Sequence, residues 1–116
     1  MEIIQGENVA KNELLPGTLD MLILQTLTRG PMHGYGIAQH IQEISHEVLQ
    51  VEEGSLYPAL QRLLVKGWLK AEWGTSDNNR RARFYTLTGV GKKQLGVETE
   101  NFNRMIKAIS RVMQTA

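Results

Sequence analysis

The sequence predicts a mainly α fold with one small β-hairpin and a long amphipathic helix at its end. Three observations predict it. Apolar residues recur at helical spacing in three short segments between residues 18 and 66. Two strand-like segments, Trp68 to Trp73 and Arg80 to Leu87, then flank the polar turn Thr75-Ser76-Asp77-Asn78-Asn79. After Thr88 an apolar seam of period seven continues to the end of the chain.

Residues 1–13 are mixed and polar, and the expectation is a flexible N-terminal arm. Pro16-Gly17-Thr18 punctuates the start of a first helix, whose residues Leu19, Leu22, Ile23, Leu24 and Leu27 form a wide apolar face ending at Arg29-Gly30-Pro31. A second helix is expected from Gly34 to His46, with Ile37, Ala38, Ile41 and Ile44 inward. His33, between Pro31-Met32 and Gly34, suits a turn or a cap.

The third helix is expected from about Ser55 to Lys66. Leu56, Leu60, Leu63 and Leu64 make its apolar stripe. Ser55 as N-cap would leave Pro58 in the first turn, where a missing N–H is tolerated, and Gly67 is a natural C-cap. In the last helix Leu95, Phe102 and Ile109 are seven apart, with Met105 and Val112 at d and Ile106 and Met113 at e. Glu98 interrupts one d position, and Gly89, Gly91 and Gly96 should weaken the first turns by roughly 1 kcal/mol each relative to alanine.

Three helices followed by a hairpin form the winged helix-turn-helix plan, in which the third helix enters the major groove and the wing touches the adjoining backbone. The expected organisation is an arm at 1–13, a winged helix domain at 14–90 and a dimerisation helix at 91–116. A lone helix cannot hide its whole seam against its own chain, so it should bury it on a second copy. The dimer residues expected are Leu19, Leu22 and Ile23 of the first helix, with Leu95, Phe102, Met105, Ile106, Ile109, Val112 and Met113 of the last.

The net charge of +1 hides a split. Residues 1–59 carry Lys11 and Arg29 against eight acidic side chains, a net −6. Residues 60–93 carry eight basic side chains against Glu72 and Asp77, a net +6. Basic charge gathered on a helix-hairpin unit is the footprint of a polyanion binder. With no cysteine, disulfides, thiolate metal sites and a cysteine nucleophile are excluded, which fits a reducing cytoplasm. The apolar run Met21 to Leu24 is too short to span a bilayer, and residues 1–13 lack the pattern of a signal peptide, so no membrane partner is expected.

Leu15-Pro16-Gly17-Thr18-Leu19-Asp20, His33-Gly34-Tyr35-Gly36-Ile37, Gly54-Ser55-Leu56-Tyr57-Pro58-Ala59-Leu60-Gln61-Arg62-Leu63, Gly67-Trp68-Leu69 and Arg83-Phe84-Tyr85-Thr86-Leu87-Thr88-Gly89-Val90-Gly91 occur in this order. Over roughly residues 14–93 the chain resembles the PadR family of bacterial transcriptional regulators, in its short subfamily with a single C-terminal helix. The resemblance implies a homodimeric repressor whose last helix packs on the partner's first and last helices. It also implies operator binding by the third helix, Tyr35 and the wing. Two departures stand out. Gly36 replaces a position often acidic in the family, which should loosen the start of the second helix, and the final helix has no tryptophan, so the aromatic-ligand site of some members is not carried over.

Several residues have two readings. Arg80, Arg81 and Arg83 are phosphate-contact candidates or a charged edge that blocks sheet-to-sheet pairing, with Arg81 and Arg83 on one strand face and Arg80 on the other. Tyr57 is a core residue or, lying one position off the leucine stripe, a phosphate or base contact, and its offset favours the contact. Tyr35 sits where a helix N-terminus favours phosphate, or is a buried tyrosine tied to backbone. Gln61 is a base reader for adenine or an idle surface amide. Ser55, Arg62 and Lys66 complete the expected DNA-binding set. His40, Glu43 and Glu47 fall at i, i+3, i+7, and a solvated face outweighs a metal site there.

No catalytic spacing and no cofactor-binding motif is present in the sequence, so no enzyme is expected. The expected function is a sequence-specific, homodimeric DNA-binding repressor on a pseudo-palindromic operator. The alternative is a winged-helix module that binds protein. A small-molecule inducer between the dimer's helices would be lined by Phe102 and Met105, which equally suit an ordinary dimer core.

Overall fold

A computed structural model describes residues 17–115. The expected N-terminal arm and the Leu15-Pro16 pair lie outside the described residues. The elements are α1 (Thr18–Thr26), a 3-10 turn (Leu27–Arg29), β1 (Met32–His33), α2 (Gly34–Ile44), α3 (Glu53–Val65), β2 (Leu69–Thr75), β3 (Arg81–Leu87) and α4 (Gly89–Gln114). The expected mainly α fold with a small hairpin is therefore present, with one addition. The two-residue β1 joins the hairpin to make an antiparallel sheet of order β1-β3-β2.

The core lies where α1, α2 and α3 meet. Ile23, Leu24, Ile37, Leu56, Leu60 and Leu63 are fully buried there, and Leu69, Tyr85 and Leu95 close it from the sheet and α4. This is the joint product of three helical stripes, each too short to be stable alone. Ile44, expected inward, is 66% exposed, because α2 ends at that residue and the stripe has run past the core. His46 and Glu47 follow with positive φ, so Glu47 leaves the helix and no i, i+3, i+7 face with His40 and Glu43 forms.

The start of α3 differs from expectation. The helix begins at Glu53 with Glu52 as N-cap, not at Ser55, and Pro58 lies inside it. The amides of Ser55 and Leu56 donate to the Glu52 carbonyl, so helical bonding is established before the proline is reached. Its C-terminus is as expected. Gly67 adopts φ +78, its amide donates to the Leu64 carbonyl and the Trp68 amide to the Leu63 carbonyl. This Schellman closure turns the chain directly into β2.

The wing is anchored at its base. The Thr88 amide donates to the Trp68 carbonyl, and the Thr88 hydroxyl donates to the Gly67 carbonyl at 2.8 Å. The same hydroxyl oxygen accepts from the Gly91 amide at 3.0 Å and caps α4. Of the 26 residues of α4, only Gly91 and Leu95 are buried. At 1.5 Å per residue the rest extends well beyond the core, and the molecule measures 53 × 35 × 21 Å.

Candidate nucleic-acid interface

The strand pair β2–β3 sets one wall of the site. Its register places Trp73 opposite Arg83 and Thr75 opposite Arg81. Period two then puts Arg81, Arg83 and Tyr85 on the same face as Ala71 and Trp73. The Arg81 guanidinium lies 4.5 Å from the Trp73 ring centre and that of Arg83 lies 5.9 Å from the Tyr85 ring centre.

The opposite wall comes from α2 and α3. β1 pairs Met32 with Tyr85 and His33 with Phe84, which ties the start of α2 to the wing. His33 fills the cap role: its Nδ1 accepts from the Gly36 amide at 3.0 Å, and its ring stands edge-on to Phe84 at 5.5 Å. Tyr35 is thereby held beside the wing with its side chain in solvent. Gly34 permits α3 to approach, because a Cβ there would stand 2.9 Å from the Tyr57 hydroxyl oxygen. Burial, the Glu53 carboxylate and Tyr85 together raise the pKa of Tyr57 above its ordinary value, so its hydroxyl remains a hydrogen-bond donor.

These walls enclose a groove of about 760 Å³ lined by Tyr35, Gln39, Tyr57, Trp73, Tyr85 and the wing from Ser76 to Arg83. Tyr35, Tyr57, Arg80, Arg81 and Arg83 all meet in it. Arg80 was expected on the opposite face to the other two arginines. It precedes β3 rather than belonging to it, so strand alternation does not apply and it lines the same groove. A concave strip of guanidinium groups and phenolic hydroxyls suits a phosphodiester backbone, with charge-assisted bonds from arginine and neutral ones from tyrosine.

Other expected contact residues lie elsewhere. Gln61 is exposed one turn beyond Tyr57, outside the groove lining. Ser55, Arg62 and Lys66 are roughly 140–180° around α3 from Tyr57 at 100° per residue, on the opposite edge of its exposed face. Arg62 pairs with Asp20 of α1 at 2.8 Å, and the Lys66 ammonium sits 4.6 Å from the Trp68 ring centre. Tyr57 and Arg62 therefore flank the helix rather than share one face. Sequence reasoning missed Trp73 and Gln39. Alternation along Leu69, Ala71 and Trp73 was visible, but placing Trp73 beside Arg81 and Arg83 needed the register.

The expected dimer residues also divide. Ile23, Leu19 and Leu95 are buried in the chain's own core. Leu22 is half-buried against that core. Phe102 is half-buried, and with Met105 it lines a cleft of about 170 Å³ between α1 and α4. Met105, Ile106, Ile109, Val112 and Met113 are 43–77% exposed. No helix of the described residues is long and apolar enough to cross a membrane.

A three-helix core, a β2–β3 wing and a projecting final helix define a winged-helix protein. The chain belongs to the PadR-like family of transcriptional regulators, whose family model matches residues 23–97. That family consists of regulators rather than enzymes. A transcriptional regulator from Clostridium thermocellum has a similar structure, with 26% identity, a TM-score of 0.74 and coverage of 96% of this chain and 97% of that one. A PadR family transcription regulator from Clostridium difficile is 28% identical with a TM-score of 0.72, over 84% of this chain and 99% of the other. The negative transcriptional regulator PadR of Bacillus subtilis is 27% identical over 77 residues, 66% of this chain but 42% of that protein. An uncharacterised protein X of Lysinibacillus sphaericus is 26% identical over 106 residues, covering 91% of this chain and 97% of its own length.

Proposed function

We propose that this PadR-family regulator is a homodimeric repressor that binds a pseudo-palindromic operator through α3 and its wing. The observation that carries the DNA reading is the single groove in which Tyr35, Tyr57, Arg80, Arg81 and Arg83 converge. Arginine and tyrosine there hold the phosphate backbone, and Gln61 on the adjoining turn reads base edges. Arg62 and Lys66 lie where α3 would meet the other backbone. Repression is favoured by the description of the Bacillus subtilis relative as a negative transcriptional regulator.

Dimerisation is supported by the exposed apolar side of α4. Met105, Ile106, Ile109, Val112 and Met113 remain 43–77% exposed, and covering them would recover part of the roughly 1.5–3 kcal/mol that full burial of such a side chain gains. A two-fold axis through α4 would set two α3 helices about one DNA turn apart, ~34 Å. The cleft beside Phe102 and Met105 is smaller, at about 170 Å³, than ordinary ligand sites of roughly 300–1,000 Å³. A small-molecule inducer would therefore need walls from the second copy.

The test is salt dependence of binding to random duplex DNA. Wild type should lose affinity steeply with salt, and Arg81→Ala and Arg83→Ala should each reduce the slope of log affinity against log salt by about 0.9. Salt-insensitive binding, or none, would favour the protein-binding alternative.

A further inference from the structure

We propose that Trp73 is a DNA-contact and positioning residue that holds Arg81 in the groove and packs its ring on a deoxyribose of the bound strand. This rests on reading the groove as a DNA surface. One face of β2 runs from core to groove: Leu69 is buried, Ala71 packs against the core, and Trp73 is 61% exposed. The strand has thus carried an indole past the point where the chain can cover it. With Tyr35 and Tyr57, also exposed and lining the same groove, the indole forms an aromatic patch, and a contiguous exposed patch of this kind marks an interaction site.

Its neighbours define the partner. Arg81 is the diagonal neighbour across the strand pair, with its guanidinium carbon 4.5 Å from the indole centre. A guanidinium lying on a ring keeps its N–H edges free for a phosphate while its flat face is fixed. Arg80 and Arg83 add charge on the same groove wall, and Tyr35 and Tyr57 face it. A phosphodiester strand alternates anionic phosphates with apolar sugar edges. The arginines match the first and the free part of the indole matches the second. A protein partner would have to offer acidic and apolar groups in that same alternation.

The experiment is acrylamide quenching of tryptophan fluorescence with and without saturating random duplex DNA. The chain has two tryptophans, and Trp73→Phe isolates the contribution of Trp68. DNA should shield Trp73 in the wild-type protein. Trp73→Ala should weaken DNA binding about tenfold, the size of a partly desolvated cation–π contact. Trp73→Phe should keep most of the affinity because a ring remains. In an Arg81→Ala background, Trp73→Ala should cost far less than alone, since the two act as a unit. Wild-type protein that shows no salt-dependent DNA binding would overturn the DNA reading itself. Wild-type protein that binds DNA while Trp73 stays equally quenchable would overturn the role of Trp73 alone, and this measurement does not depend on any variant folding. An undiminished affinity of Trp73→Ala would do the same.

Discussion

Gly91→Ala should destabilise this chain by about 2 kcal/mol, although it places a better helix former inside a helix. A Cβ on residue 91 would lie 2.1 Å from the Trp68 carbonyl oxygen and 2.9 Å from Leu87 Cδ1. The first of these is backbone and cannot swing aside. The carbonyl also accepts from the Thr88 amide at 3.1 Å, so moving it disturbs the base of the wing. Relieving the overlap needs a shift of roughly 1 Å between α4 and the β2 start, and overpacking of that kind costs about 1–3 kcal/mol or more. Helix propensity returns at most about 1 kcal/mol. Among the described residues Gly96, in the same helix, has open space where a Cβ would stand, so Gly96→Ala should stabilise by up to about 1 kcal/mol. Thermal melts at one fixed protein concentration compare the two. In a domain of this size 1 kcal/mol corresponds to about 4–8 °C, so Gly91→Ala should melt roughly 10 °C below wild type and Gly96→Ala a few degrees above it. A Gly91→Ala protein that melts at or above wild type would refute the packing argument.

Thr88→Val removes both a donor to the Gly67 carbonyl and the acceptor for the Gly91 amide; it should cost about 1–2 kcal/mol, read by chemical denaturation, and an unchanged midpoint would count against it. Gly34→Ala forces the Tyr57 ring out of its contact, so it should weaken DNA binding with little loss of stability, and equal affinity would show that the ring position is unimportant. The raised pKa of Tyr57 is a stability contribution present below the ordinary value of 10.0 and lost as pH climbs through the folded value; Tyr57→Phe should flatten that alkaline limb in melts above pH ~10, and a limb of unchanged steepness would refute it. Phe102→Asp with Ile109→Asp should give a monomer by sedimentation and abolish specific binding, whereas a wild-type chain that stays at 13.1 kDa at micromolar concentration would sink the dimer reading.

Helical periodicity and punctuation were enough to read three helices, a hairpin and a long last helix from the residues themselves. Leucine at i, i+4 and i+7 has only one helical face to occupy, so Leu56, Leu60 and Leu63 went to the core as expected. Gly67 ended α3 because left-handed backbone strongly favours glycine there. The clustering of positive charge on residues 60–93 was equally plain, being a property of composition.

Tertiary structure decided what those local rules leave open. α3 starts earlier than expected, at Glu53, where the preceding Val51 is buried in the core and the Glu52 carbonyl accepts from the amides of Ser55 and Leu56. Which apolar residues stay exposed depended on where the core stops, and it took Ile23, Leu19 and Leu95 while leaving Met105, Ile106, Ile109, Val112 and Met113 outside. The groove itself is a long-range object. Tyr35, Tyr57, Trp73 and Arg81 meet because β1 pairs with β3, because β2 pairs with β3 in a fixed register and because Gly34 leaves room for the Tyr57 ring. Strand register and helix crossing are set by contacts between residues far apart in sequence, and no single segment carries that information.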